Sequence, residues 1–215
     1  MTERTRYREV TSEFRATVTE VERIGESHVR VVASGAPELA LLDTIAVEMG
    51  GVLRRYTVSS VGGGLEFVAY RTKRGPATAY LDQLAVGAEL TGLAPERPVK
   101  MPPADATRVV VAGDDTAVGV ARAVAKAHPG RVAVGIVGEV LDECVAALTD
   151  AEVHIFDTND QLLEWVGADV AGTHFVLVGE QALNQQVRQH LFGLGVEKDN
   201  VATRTFWRPD REGLE

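Results

Sequence analysis

Two short stretches carry the residue types that hold a phosphate-bearing redox cofactor. Arg54, Arg55, Tyr56, Thr57 and Val58 stand together in a β-branched run, and Gly75, Pro76, Ala77 and Thr78 open a short helical segment downstream. An arginine, a tyrosine and a threonine on one strand offer a charge for pyrophosphate, an aromatic plane for stacking and a hydroxyl for a ring edge. That set suits a flavin. The free N–H groups of a helix start add an anion cradle. With Arg71, Lys73 and Arg74, residues 54–74 hold five basic side chains against one acid, Glu66. In a chain of net charge −9 such an island suits a polyanion; the plainer alternative is a solvated basic face with a structural tyrosine.

A second set lies in the other half of the chain, at the ends of apolar runs: Gly113, Asp114, Asp115 and Thr116; Gly138 and Glu139; Gly179 and Glu180. In open α/β sheets ligands bind beyond the carboxyl ends of the strands. A glycine there lets backbone approach a ligand closely. The GxGxxG dinucleotide fingerprint is missing from residues 113–119, so these are turns that could face a phosphate, or plain turns of a doubly wound fold.

The elements that would position both sets differ in rhythm. Residues 14–24, 27–34, 44–49, 53–60, 65–71 and 89–93 read as short β-branched or alternating strands broken by glycines, with one helix at 77–84 before the last. Six short strands suggest a small barrel. Pro95, Pro98, Pro102 and Pro103 then form a crossing. Beyond it, continuous apolar strands at 108–113, 131–137, 152–157, 174–179 and 201–207 alternate with helices at 116–127, 141–148, 160–166 and 181–194. That alternation predicts a parallel sheet covered on both faces. The expected organisation is a two-domain chain: a small antiparallel β-barrel over 1–101 and an α/β parallel-sheet domain over 106–215. Charge divides at the same place, 13 basic against 14 acidic residues before position 106 and 9 against 17 after it.

The acidic balance disfavours broad nucleic-acid binding, which needs a basic face. No apolar run approaches a membrane span, and the first ten residues lack the apolar core of a secretion signal. A cytoplasmic, reduced setting is the default. The single Cys144, among apolar residues, is expected to be an inert core thiol, and Trp165 a packing residue. His28, His128, His154, His174 and His190 have no metal-ligand spacing, so no metal site is expected.

Taken in order, these motifs resemble the ferredoxin-NADP reductase superfamily: Arg54-x-Tyr56-Thr57 on a barrel strand, Gly75 through Thr78 opening a helix, then Gly87 through Gly92 to Pro95. Further features are similar to its siderophore-interacting branch, the FAD-dependent ferric-siderophore reductases. Residues 54–58 read RRYTV, residues 113–117 read GDDTA, Asp160-Gln161-Leu162 follows the third α/β strand, Gly179-Glu180 opens the last helix, and Thr205-Phe206-Trp207-Arg208 forms the ending. Departures stand at Tyr70-Arg71-Thr72, where the branch has His-Gly; at Tyr80, where it has Trp; and at Val118-Gly119, where it has Pro-Ala. The stretch before Arg54, which helps to frame flavin and substrate, looks short for the branch.

The resemblance implies a ferredoxin-reductase-type barrel binding FAD and an α/β domain receiving NAD(P)H, with electrons passed to a ferric siderophore or other ferric chelate. It assigns Arg54 to the FAD phosphates, Tyr56, Thr57 and Val58 to the flavin, and Gly75, Pro76, Ala77 and Thr78 to the pyrophosphate. Gly113, Asp114, Asp115 and Thr116 would line the nicotinamide approach. Gly138, Glu139, Gly179 and Glu180 would lie along the NAD(P)H groove, and Trp207 over the flavin. Arg55, Arg71, Lys73, Arg74 and Arg204 would attract the anionic substrate. No acid or base is obligatory, because hydride and single electrons need none. The resemblance leans to NADPH, while Glu139 favours the bare ribose of NADH. The alternatives are a reductase of another acceptor (ferredoxin, as an electron-transfer partner, free flavin or another ferric chelate) and a non-catalytic, partner-binding protein with a degenerate fold of this type.

Overall fold

The computed structural model describes residues 12–60, 64–71, 74–96, 98–139, 145, 148 and 151–209. The expected helix at 141–148, with Cys144, and the expected cation Lys73 fall largely or wholly outside these residues.

Six strands close into an antiparallel barrel: β1 (Ser12–Ile24), β2 (His28–Ser34), β3 (Thr44–Met49), β4 (Val52–Ser60), β5 (Leu65–Tyr70) and β6 (Glu89–Glu96), in the order β1-β2-β5-β4-β3-β6. Helix α1 (Pro76–Gln83) precedes β6. Successive strand residues point to opposite faces, so Phe14, Ala16 and Val18 of β1, Val29 and Val31 of β2, Ile45, Val47 and Met49 of β3, and Leu65 and Phe67 of β5 fill one interior. The barrel closes with three of its strands, β1 to β3, lying before Arg54.

Its seam is uneven. β4 pairs with β5 only at Val58↔Phe67 and Ser60↔Glu66, with a register shift between them. On its other side β4 pairs with β3 from Thr57 through Val52. Among the described residues, therefore, Arg54 to Thr57 have a strand partner on one side only. A bulge of this kind ends pairing locally and re-aims side chains.

The second layer is a five-stranded parallel sheet of β7 (Arg108–Asp114), β8 (Val132–Val137), β9 (Ala151–Phe156), β10 (Thr173–Glu180) and β11 (Val201–Trp207), ordered β11-β10-β7-β8-β9. The order reverses at β7, so the ligand crevice of such a sheet lies beyond the ends of β7 and β10. Val109, Val111, Val134, Ile136, Val176 and Val178 face helix α2 (Val118–Ala127) and the barrel. Val110, Ala112, Phe175 and Leu177 face α3 (Asn159–Gly167) and α4 (Gln181–Gly193) through Leu162, Val166, Leu183, Val187 and Leu191. Both faces being covered, these strands read as continuous apolar runs. Trp165 sits against Gly135 of β8 and beside His154 and Phe156 of β9, which makes it a packing residue. No described helix is long and apolar enough to cross a membrane.

Barrel and sheet meet along α2. Gly119 lies against Val68 of β5, where an added Cβ would come within 3.4 Å of the Val68 carbonyl oxygen. Beside it, the buried Glu66 of β5 receives Arg30 Nε at 2.9 Å and Ser59 Oγ at 2.9 Å from the barrel, and Arg122 Nε and Lys126 Nζ at 3.1 Å from α2.

Candidate functional site

Between the one-sided stretch of β4, the start of α1 and the end of β7 lies a cleft of about 420 Å³, within the usual range of small-molecule sites. From the barrel come Arg54, Arg55, Tyr56 and Thr57; from the α1 entry Arg74, Gly75, Pro76, Ala77 and Thr78; from the sheet Asp114, Asp115, Thr116 and Trp207. Val68, Tyr70, Gly119, Val120, Phe206 and Arg208 complete the wall. Stretches from the barrel, the α1 entry, the end of β7 and the chain end thus share one cavity.

Tyr56 lies in the barrel wall, its ring stacked on Phe67 with centroids 4.7 Å apart and its hydroxyl donating to Met49 Sδ at 3.2 Å. Burial pushes its phenol pKa well up, against the opposing charge of Arg54. The next residue differs: Thr57 Oγ1 is buried and has no hydrogen-bond partner. An unsatisfied buried hydroxyl is uncommon and costs free energy.

Helix α1 begins on Gly75, whose φ of 138° is open to glycine and strained for other residues. No side chain caps this end, Pro76 occupies the first turn, and that turn carries no acid. The first turn of α1 therefore lies at a helix start without a side-chain cap, with Arg74 adjoining.

At the sheet edge the two aspartates have separate duties. Asp114 accepts from the backbone N–H of Thr116 at 2.9 Å and from its hydroxyl, from the backbone N–H of Glu180 at 2.6 Å, and from Trp207 Nε1 at 2.8 Å. It ties the ends of β7, β10 and β11 together and fixes the indole of Trp207, itself 39% exposed. Asp115 has a buried Oδ1 without a partner. Burial pushes its carboxyl up to about 6; the charge of Asp114 adds to this, a backbone hydrogen bond from Glu139 opposes it, and the Glu139 charge adds again.

Behind Asp115, His28 Nε2 lies 2.8 Å from the Asp115 carbonyl and His28 Nδ1 lies 3.0 Å from Ser27 Oγ. Both contacts are met by a neutral ring that donates from Nε2 and accepts at Nδ1. Burial lowers the His28 pKa, with the Asp115 hydrogen bond pulling the other way. The ring also sits 5.3 Å from Tyr70, tilted. His28 thus braces the β7 turn from the barrel. Its partner is 87 residues away, and nothing local in the sequence marks it. Arg208 was likewise not among the expected substrate cations, although its place after Trp207 put it in reach.

Other expected residues lie elsewhere. Val58 is wholly buried in the barrel interior. Gly113 sits under the cleft, packed on the Val178 carbonyl of β10. Gly138 and Gly179 do provide close approach, but to the protein itself: a Cβ on Gly138 would meet Asp115 Oδ1 at 2.4 Å, and one on Gly179 would meet Asp114 Oδ2 at 2.4 Å. Glu139 is exposed at the end of β8 and Glu180 ends β10; neither lines the cleft. Arg71 donates to the Glu26 carbonyl and pairs with Asp82, away from the cavity. Arg204, on β11, is also outside it. Among the described residues no cluster of three or more His, Cys, Asp or Glu side chains could hold a metal ion.

No protein-family model matches the sequence. No curated protein matches it either. Solved structures do match in fold. A siderophore-interacting protein from Acinetobacter baumannii is similar over 95% of this chain and 93% of its own, at 20% identity and a TM-score of 0.78. A ferredoxin reductase in carbazole 1,9a-dioxygenase is similar over 92% of this chain and 68% of its own, at 18% identity and a TM-score of 0.78. A flavohemoglobin from Malassezia yamatoensis, solved with FAD and haem, matches 91% of this chain and 60% of its own, at 14% identity and a TM-score of 0.66. The barrel followed by a parallel sheet is the fold that these proteins share with the chain.

Proposed function

We propose that the protein is a flavin-dependent reductase that holds FAD in the cleft, takes electrons from a reduced nicotinamide nucleotide at the sheet edge, and delivers them to a ferric siderophore. Its working units would be a barrel domain over 1–101 and a nucleotide domain over 106–215. The observation that carries the reading is the Thr57 hydroxyl, buried without a partner at the wall of the cleft, next to the one aromatic ring of β4 and opposite an uncapped helix start. A native fold tolerates such a hydroxyl where a bound group completes it.

The chain's groups suit FAD part by part. Arg54, Arg74 and the α1 N-terminus oppose phosphate charge. Tyr56 offers a ring edge that Phe67 and Met49 hold in place. Thr57 supplies the hydroxyl and Trp207 a cover that Asp114 holds. When bound, FAD supplies hydride acceptance from nicotinamide and onward electron transfer. The protein's part is to position these groups and exclude water; hydride and single electrons need no acid or base, so Asp114 and Asp115 at the sheet side of the cleft are given no proton-transfer role. Arg55 and Arg74 from the barrel and Arg208 from the chain end place positive charge around the cleft of an acidic protein, which raises the encounter rate of an anionic chelate. Siderophore-interacting proteins among the structural neighbours support that acceptor, and a ferredoxin reductase of equal TM-score keeps ferredoxin as the second reading.

The test is a purified-protein assay with FAD, reduced nucleotide, a ferric siderophore and a ferrous chelator. The reading expects flavin absorbance near about 450 nm that co-purifies or is retained after reconstitution, and iron reduction faster than with free FAD. A protein that does not retain FAD ends the reading; one that retains it but reduces no ferric chelate keeps the flavin and loses the acceptor.

A further inference from the structure

We propose that, in the reductase read above, NADH rather than NADPH is the electron donor, with the Glu139 carboxylate selecting the unphosphorylated adenosine ribose. The inference rests on a nicotinamide nucleotide lying along the sheet edge, and it departs from the NADPH expected by resemblance.

The argument begins with topology. β7 is the first strand of the sheet and β8 the second, lying on the side of β7 away from β10. In a doubly wound sheet a nucleotide crosses the ends of these strands, and the acid that follows the second strand meets the ribose hydroxyls; NADP-binding sites put an arginine nearby instead. Here the residue is Glu139, exposed at the end of β8. Its backbone is fixed by a hydrogen bond to Asp115.

Charge along the chain agrees. From Val132 to Val187 the sequence contains no lysine and no arginine. That stretch supplies β8, β9 and β10. Asp157 follows β9, Asp160 lies in the first turn of α3, and Glu180 ends β10. The cations around the cleft, Arg54, Arg55, Arg74 and Arg208, belong to the barrel or the chain end. A 2′-phosphate, with charge of about −1.5 to −2 at neutral pH, would meet carboxylates and no counter-charge from β8, β9 or β10.

The backbone offers no substitute. An uncapped α3 could have cradled the phosphate, but its start is filled. Thr158 Oγ1 accepts from the Gln161 N–H at 3.4 Å, and Gln161 Oε1 accepts from the N–H groups of Asp157 at 3.0 Å and Thr158 at 3.2 Å. A ribose 2′-hydroxyl, by contrast, is a donor, and an exposed carboxylate is its natural acceptor.

The experiment is anaerobic stopped-flow reduction of the FAD-reconstituted protein by NADH and by NADPH, for the native protein, Glu139→Gln and Glu139→Arg. The half-saturating NADPH concentration is expected at least about tenfold above that of NADH, the scale of one lost charged hydrogen bond. The gap should narrow as salt rises, because the repulsion is screened. Glu139→Gln should weaken NADH, and Glu139→Arg should close or invert the ratio while the limiting rate of flavin reduction stays within about threefold. Equal or better use of NADPH by the native protein overturns the inference and leaves the reductase reading standing. Failure of both nucleotides to reduce bound flavin overturns the reductase reading itself, and this inference with it.

Discussion

Replacing Glu66 by glutamine should loosen the junction between barrel and sheet, and the size of the effect follows from its contacts. The Glu66 side chain is 7% exposed and is met by Arg30 and Ser59 of the barrel and by Arg122 and Lys126 of α2. Burial alone would raise its pKa; the hydrogen bonds from Lys126, Ser59 and Arg30 and the charge of Arg122 overcome that and hold it at about 2 instead of 4.5. A carboxyl lowered this far contributes about 3 kcal/mol to folding. Because the folded-state pKa is the lower one, the contribution is complete above pH 4.5 and is lost as pH falls toward 2. Glu66→Gln removes it and leaves three cations around a neutral amide, so the loss at pH 7 should be about 3 kcal/mol or slightly more. For a chain of this length that is a fall in Tm of about 6–12 °C. Urea titrations of native and variant protein at pH 7, 5, 4 and 3 would read the difference directly. It should be constant from pH 7 to 5 and shrink below that. A loss under about 1 kcal/mol at pH 7, or one that does not change down to pH 3, refutes the reasoning.

Three further outcomes follow from the same geometry. Thr57→Val removes a buried hydroxyl that the protein leaves unpaired, so the FAD-free protein should be as stable as the native one or more so, while FAD affinity measured by fluorescence titration falls about 3- to 10-fold; unchanged affinity would place the flavin ring elsewhere. Asp114→Asn weakens the acceptor of the Trp207 indole and should red-shift and broaden the emission of Trp207, the more exposed of the two tryptophans, whereas an unaltered spectrum would mean that Asp114 does not hold the ring. Asp115, raised to about 6 by burial, has its folded-state pKa above the unfolded one, so it costs stability as pH rises from about 4 to 6; Asp115→Asn should therefore be more stable than the native protein at pH 8, by up to about 3 kcal/mol, with the gain vanishing near pH 4. A gain that is the same at both pH values would contradict the burial of that carboxyl.

Periodicity made most of the architecture legible. Alternation in β1, β2, β3 and β5 marks one inward face, and the unbroken apolar runs of β7, β8 and β10 mark a sheet covered twice, since each residue's neighbours on its face lie two positions away. The direction of side chains was harder to read. Asp114 and Asp115 looked alike as ligand-facing acids at a strand end; the structure spends Asp114 on Trp207, Glu180 and Thr116 and folds Asp115 over Gly138. The glycines at 138 and 179 signalled close approach correctly but not what approaches. Arg71 counted toward a cationic island by its position in the chain, yet its guanidinium turns to Glu26 and Asp82. Glu66, Arg122 and Lys126 lie 56 and 60 residues apart, and His28 and Asp115 lie 87 apart. Such pairs are set by the docking of barrel on sheet, and no local spacing encodes them.

The most direct measurement is the visible spectrum of the purified protein, reconstituted with FAD and freed of excess, before and after anaerobic addition of NADH. A retained flavin band that bleaches on addition, and returns when a ferric siderophore is admitted, is what the cleft at Thr57 and Tyr56 predicts. A colourless protein after reconstitution would show that the cavity serves something other than a flavin.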